Sequence, residues 1–379
     1  MAEIQSDTPP RYHGLETLRA LAILLVFMYH YQVFVSREAT FGWGSEIGWI
    51  GVDLFFVLSG YLIGNQIFSG LRRGRSLSLK HFYARRLLRT LPNFYVVLAL
   101  YFLFPVLMGG KEPPPLWRFL SFTQNIGLQP GTAFSHAWSL CIEEQFYLLL
   151  PAVTLLGLRW APSLRGAWTL LVGLMLAAMA WRAWLWTLHG LEADAAGYYP
   201  NVYYASLSRL DEFLPGIAVA LIRNAHPAVW QRLLAQGRGL LYAGLAAFAV
   251  LAWALHEHYY IDGYGYGFFM TAFGYSLLAA CFAVLVVAAL SPQTWLYRLR
   301  IPGAAALAAW SYAIYLSHKP LAVILKRQLE PLGIAPSSPL AVLLIGLACL
   351  LGGWLLYRLV ETPFMRLRER RFPSSFRPG

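Results

Sequence analysis

The sequence is poor in charge and in cysteine. Asp, Glu, Lys and Arg make up 13% of its 379 residues against 58% hydrophobic residues, and the mean hydropathy is +0.51. That balance excludes a soluble globular chain, in which about a quarter of the residues are charged. The three cysteines, Cys141, Cys281 and Cys349, all lie inside apolar runs, so there is neither a disulfide framework nor a metal-ligand spacing. A glycine-rich phosphate loop, an internal repeat and low-complexity tracts beyond the short termini are absent as well. The first residues carry no basic region ahead of a cleavage site, so the first apolar run reads as a retained anchor. No stretch between apolar runs is long enough for a soluble domain. One bundle is left, with a polar tail at 1–14, a core at 15–358 and a basic tail at 359–379.

What the sequence does have is apolar runs near the roughly twenty residues a bilayer requires. They fall at 15–35, 48–69, 91–109, 138–158, 167–189, 204–222, 239–256, 267–290, 302–325 and 339–358. The expected fold is an all-α, polytopic membrane bundle of about ten transmembrane helices. With Arg11 and Arg19 included, the even connections and the tails hold 22 Lys or Arg. The odd connections hold five, Arg37, Lys111, Arg118, Lys326 and Arg327, and those around Glu192, Asp194, Glu257 and Asp262 hold none. By the positive-inside rule both termini are cytoplasmic. The net charge of +12 is thereby explained by topology, with no call for nucleic acid.

Ionisable residues within such runs are costly and face the bundle interior or a cavity. Arg19 and His30 are eleven positions apart, which on a helix is a rise of about 16 Å and a return to within about 20° of the same face. They look into one groove at two depths. Asp53 enters the second run at a depth similar to His30, and Ser59, Gly60 and Gly64 allow a neighbouring helix to come close. Arg85, Arg86 and Arg89 precede Leu91 and Pro92, the expected start of the third run. Arg86 and Arg89, three apart on one helix face, suit a phosphate. Glu143 and Glu144 lie about 100° apart on a helix, so at most one points into a given groove. Arg182 sits among Trp181, Trp184 and Trp186, and Asp211 can pair with an arginine. His256 and His258 have no ligand set nearby for a metal. Compared by depth, His30, Asp53, Glu143, Glu144, Asp211 and His318 fall in the outer half, and Arg19, Arg85, Arg86 and Arg89 at the inner face. An anionic donor on one side and a hydroxyl acceptor on the other fit that segregation, joined by one continuous passage.

Six segments in order, RYHGLETLRALAILLVFMYH, GWIGVDLFFVLSGYLI, FYARRLLRTLP, HAWSLCIEEQFYLLLP, SYAIYLSHKPL and VETPF, resemble the membrane-bound acyltransferase 3 family, from residue 11 to about 365. The resemblance implies a ten-helix core that moves an acetyl or other short acyl group from cytoplasmic acyl-CoA to a hydroxyl of a glycan or other acceptor. Its Arg-x10-His signature falls on Arg19 and His30, its Arg-x-x-Arg pair on Arg86 and Arg89, and its tryptophan-serine-leucine to glutamate motif on Trp138, Ser139, Leu140 and Glu143 to Phe146. The C-terminal esterase-like domain of some members is not expected here, and Lys319 departs from the apolar residue usual after His318.

The expected roles combine those matches with the depth and chemistry of the residues. His30 is the general base, oriented by a carboxylate, Glu143 first and Asp53 or Glu144 next. Arg19, Arg85, Arg86 and Arg89 hold the CoA phosphates; Trp138, Ser139, Asp211 and His318 border the acceptor. The competing chemistry is an acyl-enzyme on His30, Ser139 or Cys141. The expected partners are acyl-CoA, a glycan or lipid-linked sugar and membrane lipids, without a metal, in a bacterial cytoplasmic membrane. Acylation of a lipid or secreted metabolite, a proton-coupled transporter or flippase with broken helices in paired halves, and a non-catalytic glycan-binding protein are the alternatives.

Overall fold

A computed structural model describes residues 12–109, 111–160, 163–191 and 195–376. Arg11 and Arg377, which entered the charge count, and Glu192 and Asp194 lie outside the described residues. The fold is an all-α membrane bundle, as a bilayer demands of a chain whose backbone groups must be satisfied within each segment. Its long helices are α1 His13–Tyr31, α2 Gly51–Arg72, α3 Leu79–Leu103, α4 Trp138–Trp160, α5 Leu164–His189, α6 Leu214–Ala225, α7 Gly237–His258, α8 Tyr275–Leu290, α9 Ala304–Leu329 and α10 Pro339–Leu356, followed by α11 Thr362–Arg371. Among the described residues, seven helical segments are long and apolar enough to cross a membrane: those built on α1, α2, α4, α5, α7, α8 and α10. The strand content among the described residues is one short hairpin, Tyr260–Ile261 paired with Gly265–Tyr266.

Polar residues account for the three expected spans outside that set. Helix α3 begins at Leu79, where the Ser78 side chain accepts from the His81 amide, and so starts well before the expected 91. The arginine-rich stretch is therefore helical, and Pro92 lies inside the helix instead of opening it. Helix α9 carries His318, Lys319, Lys326 and Arg327. The expected span 204–222 is broken into a turn Ser206–Arg209, a tighter turn Leu210–Phe213 and the twelve-residue α6. The freed carbonyls at the break are taken up by buried arginines: Arg182 donates to Ser208 O at 2.6 Å and Arg209 to Tyr203 O at 3.2 Å.

The closest helix pairing is α2 on α6, and it rests on glycine. A Cβ at Gly60 would stand 2.1 Å from the Phe213 carbonyl oxygen, and one at Gly216 the same distance from that of Val57. Side chains at these points would push the helices apart. Helix α9 packs between α1 and α10, α7 on α8, and α11 folds back on α3. One contiguous apolar core runs through the bundle, with a small satellite of Tyr31, Val35, Ala322, Ile345 and Cys349. All three cysteines are free and buried, donating to backbone carbonyls as small packing residues do.

Candidate active site

Two cavities open toward the two ends of α1. The first, about 320 Å³, is lined by Arg19 of α1, Ser59 and Gln66 of α2, Arg86, Arg89 and Thr90 of α3, Ser139, Glu143 and Tyr147 of α4, Tyr312 and Tyr315 of α9, and Arg368 of α11. Arg86 donates to Gln66 Oε1 at 3.1 Å and lies over the Tyr147 ring at 5.5 Å, while its Nε is buried without a partner. Arg89 stands 4.0 Å from Glu361, whose other oxygen accepts from Asn93 at 2.8 Å. Arg19 and Arg89 also border an adjoining cavity of about 500 Å³, which α11 lines with Arg366 and Arg370. Arg85 is not part of this cluster. It pairs with Glu369 at 3.2 Å and donates to the Phe372 carbonyl, clasping α11 against α3. Its neighbour Arg86 points inward because successive helix positions are turned by about 100°.

The second cavity, about 710 Å³, holds His30, His136, Trp138, Lys319 and the tyrosines Tyr29, Tyr199, Tyr203 and Tyr204. His30 Nδ1 is 2.7 Å from His318 Nε2, the two rings stacked at 4.9 Å. His318 Nδ1 is 3.0 Å from the Ile314 carbonyl, an acceptor only, so that nitrogen carries the proton. In the neutral ring Nε2 of His318 is then an acceptor, His30 donates from Nδ1, and the lone pair of the couple sits on His30 Nε2. His136, which the sequence reading passed over, is the third imidazole, with ring centroids 6.2 Å from His30 and 5.6 Å from His318. It donates from Nε2 to Leu316 O at 3.3 Å, and its buried Nδ1 has no partner. The only signal for it was its place in the HAWSL segment. Among the described residues no group of three or more His, Cys, Asp or Glu is arranged to hold a metal ion.

In place of the single continuous passage expected, the structure shows two cavities that share no lining residue. Their boundary is a single residue step at the start of α4, with Trp138 facing the histidines and Ser139 the arginines. Ser139 Oγ and Tyr315 OH are 2.6 Å apart, and the Tyr315 hydroxyl reaches the His136 carbonyl at 2.5 Å. This hydroxyl pair and the Trp138 ring form the partition.

The carboxylates expected beside His30 are elsewhere. Glu143 accepts from Ser59 at 2.6 Å and from Tyr147, on the arginine side. Glu144, on the next face of α4, lines neither cavity. Asp53 is fully buried against Arg209, 3.2 Å away, which also pairs with Glu212 and lies 5.1 Å from the Trp138 ring centre. Asp53 thus backs the partition from behind. Asp211 is held by Arg182 through both carboxylate oxygens, at 2.7 and 3.1 Å, and by Ser276, so it faces no cavity. For Glu143, Asp53 and Asp211 an arginine or hydroxyl distant in sequence captured the acid, which spacing along one helix does not disclose.

The sequence profile of the acyltransferase domain family, acyltransferase 3, matches residues 12–358. The chain is 29% identical to the peptidoglycan O-acetyltransferase OatA of Listeria monocytogenes serovar 1/2a, over 96% of this chain and 57% of that protein. It is 27% identical to the O-acetyltransferase OatA of Staphylococcus aureus strain NCTC 8325, over 96% of this chain and 58% of that one. The chain therefore spans a little over half the length of these curated relatives. No solved structure matches it. The helices suited to crossing a bilayer and the profile match along nearly the whole bundle lead to one conclusion: this is an integral membrane protein, and it belongs to the acyltransferase 3 family.

Proposed function

We propose that the chain moves an acetyl or other short acyl group from acyl-CoA, held in the arginine cavity, to a hydroxyl of a glycan held in the histidine cavity. The observation that carries this reading is the back-to-back arrangement. An under-satisfied arginine cluster and a hydrogen-bonded imidazole couple lie in two cavities bordered by consecutive residues, Ser139 on one and Trp138 on the other. The charge asymmetry of the connections supports a cytoplasmic arginine cavity, and in this reading the chain makes ten crossings with both termini inside. The name of the Listeria relative makes peptidoglycan the first acceptor to try.

In the proposed reaction, Arg19, Arg86 and Arg89 hold the phosphates of the donor, and Arg368 adds a cation from α11. The acyl end passes beside Ser139 when the Ser139–Tyr315 contact opens. The acceptor hydroxyl gives its proton to His30 Nε2 as its oxygen attacks the thioester carbonyl; the C–S bond breaks and CoA leaves as the thiolate, which is protonated in turn. His318 does the work assigned to a carboxylate in other triads, accepting from His30 Nδ1–H and fixing the tautomer and ring angle. The tyrosines of the cavity and Trp138 offer ring faces to the C–H face of a sugar. Cys141, buried and facing neither cavity, takes no part in an acyl-enzyme.

The test is transfer of labelled acetyl from acetyl-CoA to cell-wall glycan by the purified chain in detergent. Transfer that is lost in His30→Ala while donor binding persists supports the reading. Unchanged transfer in His30→Ala removes the base, and no binding of acetyl-CoA removes the donor.

A further inference from the structure

The histidine cavity is as cationic as the arginine cavity, on the face where the topology rule leaves few cations. Of the five Lys or Arg on the outer connections, Arg37, Lys111, Lys326 and Arg327 all line this one cavity. The fifth, Arg118, is used locally, donating to Ile126 O at 3.3 Å and lying over Trp117 at 5.5 Å. Lys319 of α9 adds another cation beside the imidazoles. Against these five the cavity has one carboxylate, Glu330, 3.6 Å from Lys326.

The remaining four cations have no acidic partner among the described residues. Lys319 donates to Ser135 Oγ at 3.1 Å and faces the Phe34 ring at 4.3 Å; Arg327 donates to Val106 O at 2.9 Å. Arg37 and Lys111 make no side-chain hydrogen bond or ion pair among the described residues, so neither holds the fold together. Four like charges around one concave wall repel each other, and low-dielectric walls focus their field into it. Such an arrangement is stabilised by a bound anion.

Resting on the function proposed above, we infer that the acceptor is anionic: a sugar bearing a carboxylate or a phosphate, bound beside His30 with its charge on Arg37, Lys111, Lys319 and Arg327. A neutral glycan gains only the ring stacking. The cations then select which hydroxyl reaches His30 Nε2, because the charge fixes one end of the sugar.

Calorimetric titration of the full detergent-purified chain tests this without relying on turnover. The probes are tetra-N-acetylchitotetraose, which is neutral, a glucosaminyl-muramic acid tetrasaccharide with free carboxylates, and N-acetylglucosamine-1-phosphate. The expected result is at least tenfold tighter binding of one charged probe than of the neutral one. That gap narrows as salt rises from 50 to 500 mM and collapses in Arg37→Gln/Lys111→Gln. The carboxylate and phosphate arms say which group is recognised. Equal binding of all three sugars overturns the inference, as does a double variant that weakens acetyl-CoA binding as much as Arg86→Ala, since the cations then belong to a donor site. Failure of the acyltransferase reading shows separately, as charged-sugar binding without acetyl transfer.

Discussion

Arg182 and Arg86 are both arginines on apolar helices, and they have opposite surroundings. Arg182 is fully buried and makes five hydrogen bonds, two to Asp211 and one each to Ser276, Ser208 O and Ala272 O. Arg86 makes one, to Gln66, leaves Nε unpartnered and faces an open cavity. A guanidinium whose donors are spent locks helices together; one with donors to spare, in a cavity, is available to a ligand. Partner accounting, not depth or charge, separates scaffold from site in this bundle.

The comparison breaks first at Arg182. Arg182→Ala strips the partner from a buried carboxylate and is expected to cost about 3–5 kcal/mol, enough to remove the folded species from a size-exclusion profile. Folded, active protein would show that the saturated cluster is dispensable. His30→Ala is expected to cut acetyl transfer by about 100- to 10,000-fold while the thermal midpoint stays near that of the parent chain. Arg86→Ala is expected to raise the KM for acetyl-CoA about tenfold or more with kcat little changed, the pattern of lost ground-state binding. An unchanged donor KM would move the phosphates elsewhere. Arg85→Ala, one position away but held by Glu369 and the Phe372 carbonyl, is expected to loosen α11 at a cost of about 1 kcal/mol and to raise the donor KM much less than Arg86→Ala does.

How much of this was legible beforehand follows the range of each interaction. Arg19 and His30 share one helix, so their rise and common face follow from local geometry, and Gly60 announced a close helix contact in the same way. The helical class and the apolar runs were legible from composition. The partner of His30 was not, because His318 is 288 positions away, and nothing in either segment says that an imidazole rather than a carboxylate will close the pair. Glu143 was assigned to the histidine side on its depth and its place in the motif; the direction of the α4 face, which turns Trp138 one way and Ser139 the other, is set by packing against α2 and α9. Arg368 was counted as topology charge because it lies past the last apolar run, yet α11 folds back to bring it into the arginine cavity. The break at 206–213 had a visible signal in Arg209, Asp211, Glu212 and Pro215 crowded into one run.

The central claim is that donor and acceptor occupy separate cavities opening to opposite sides, with the reaction at the Ser139–Tyr315 partition. Proteoliposomes holding the chain in one orientation test it directly, with labelled acetyl-CoA supplied to the arginine side alone and the acceptor glycan to the other. The account predicts that label appears on the glycan across the bilayer and that His30→Ala abolishes it. Label transferred only when donor and acceptor share a side would contradict it.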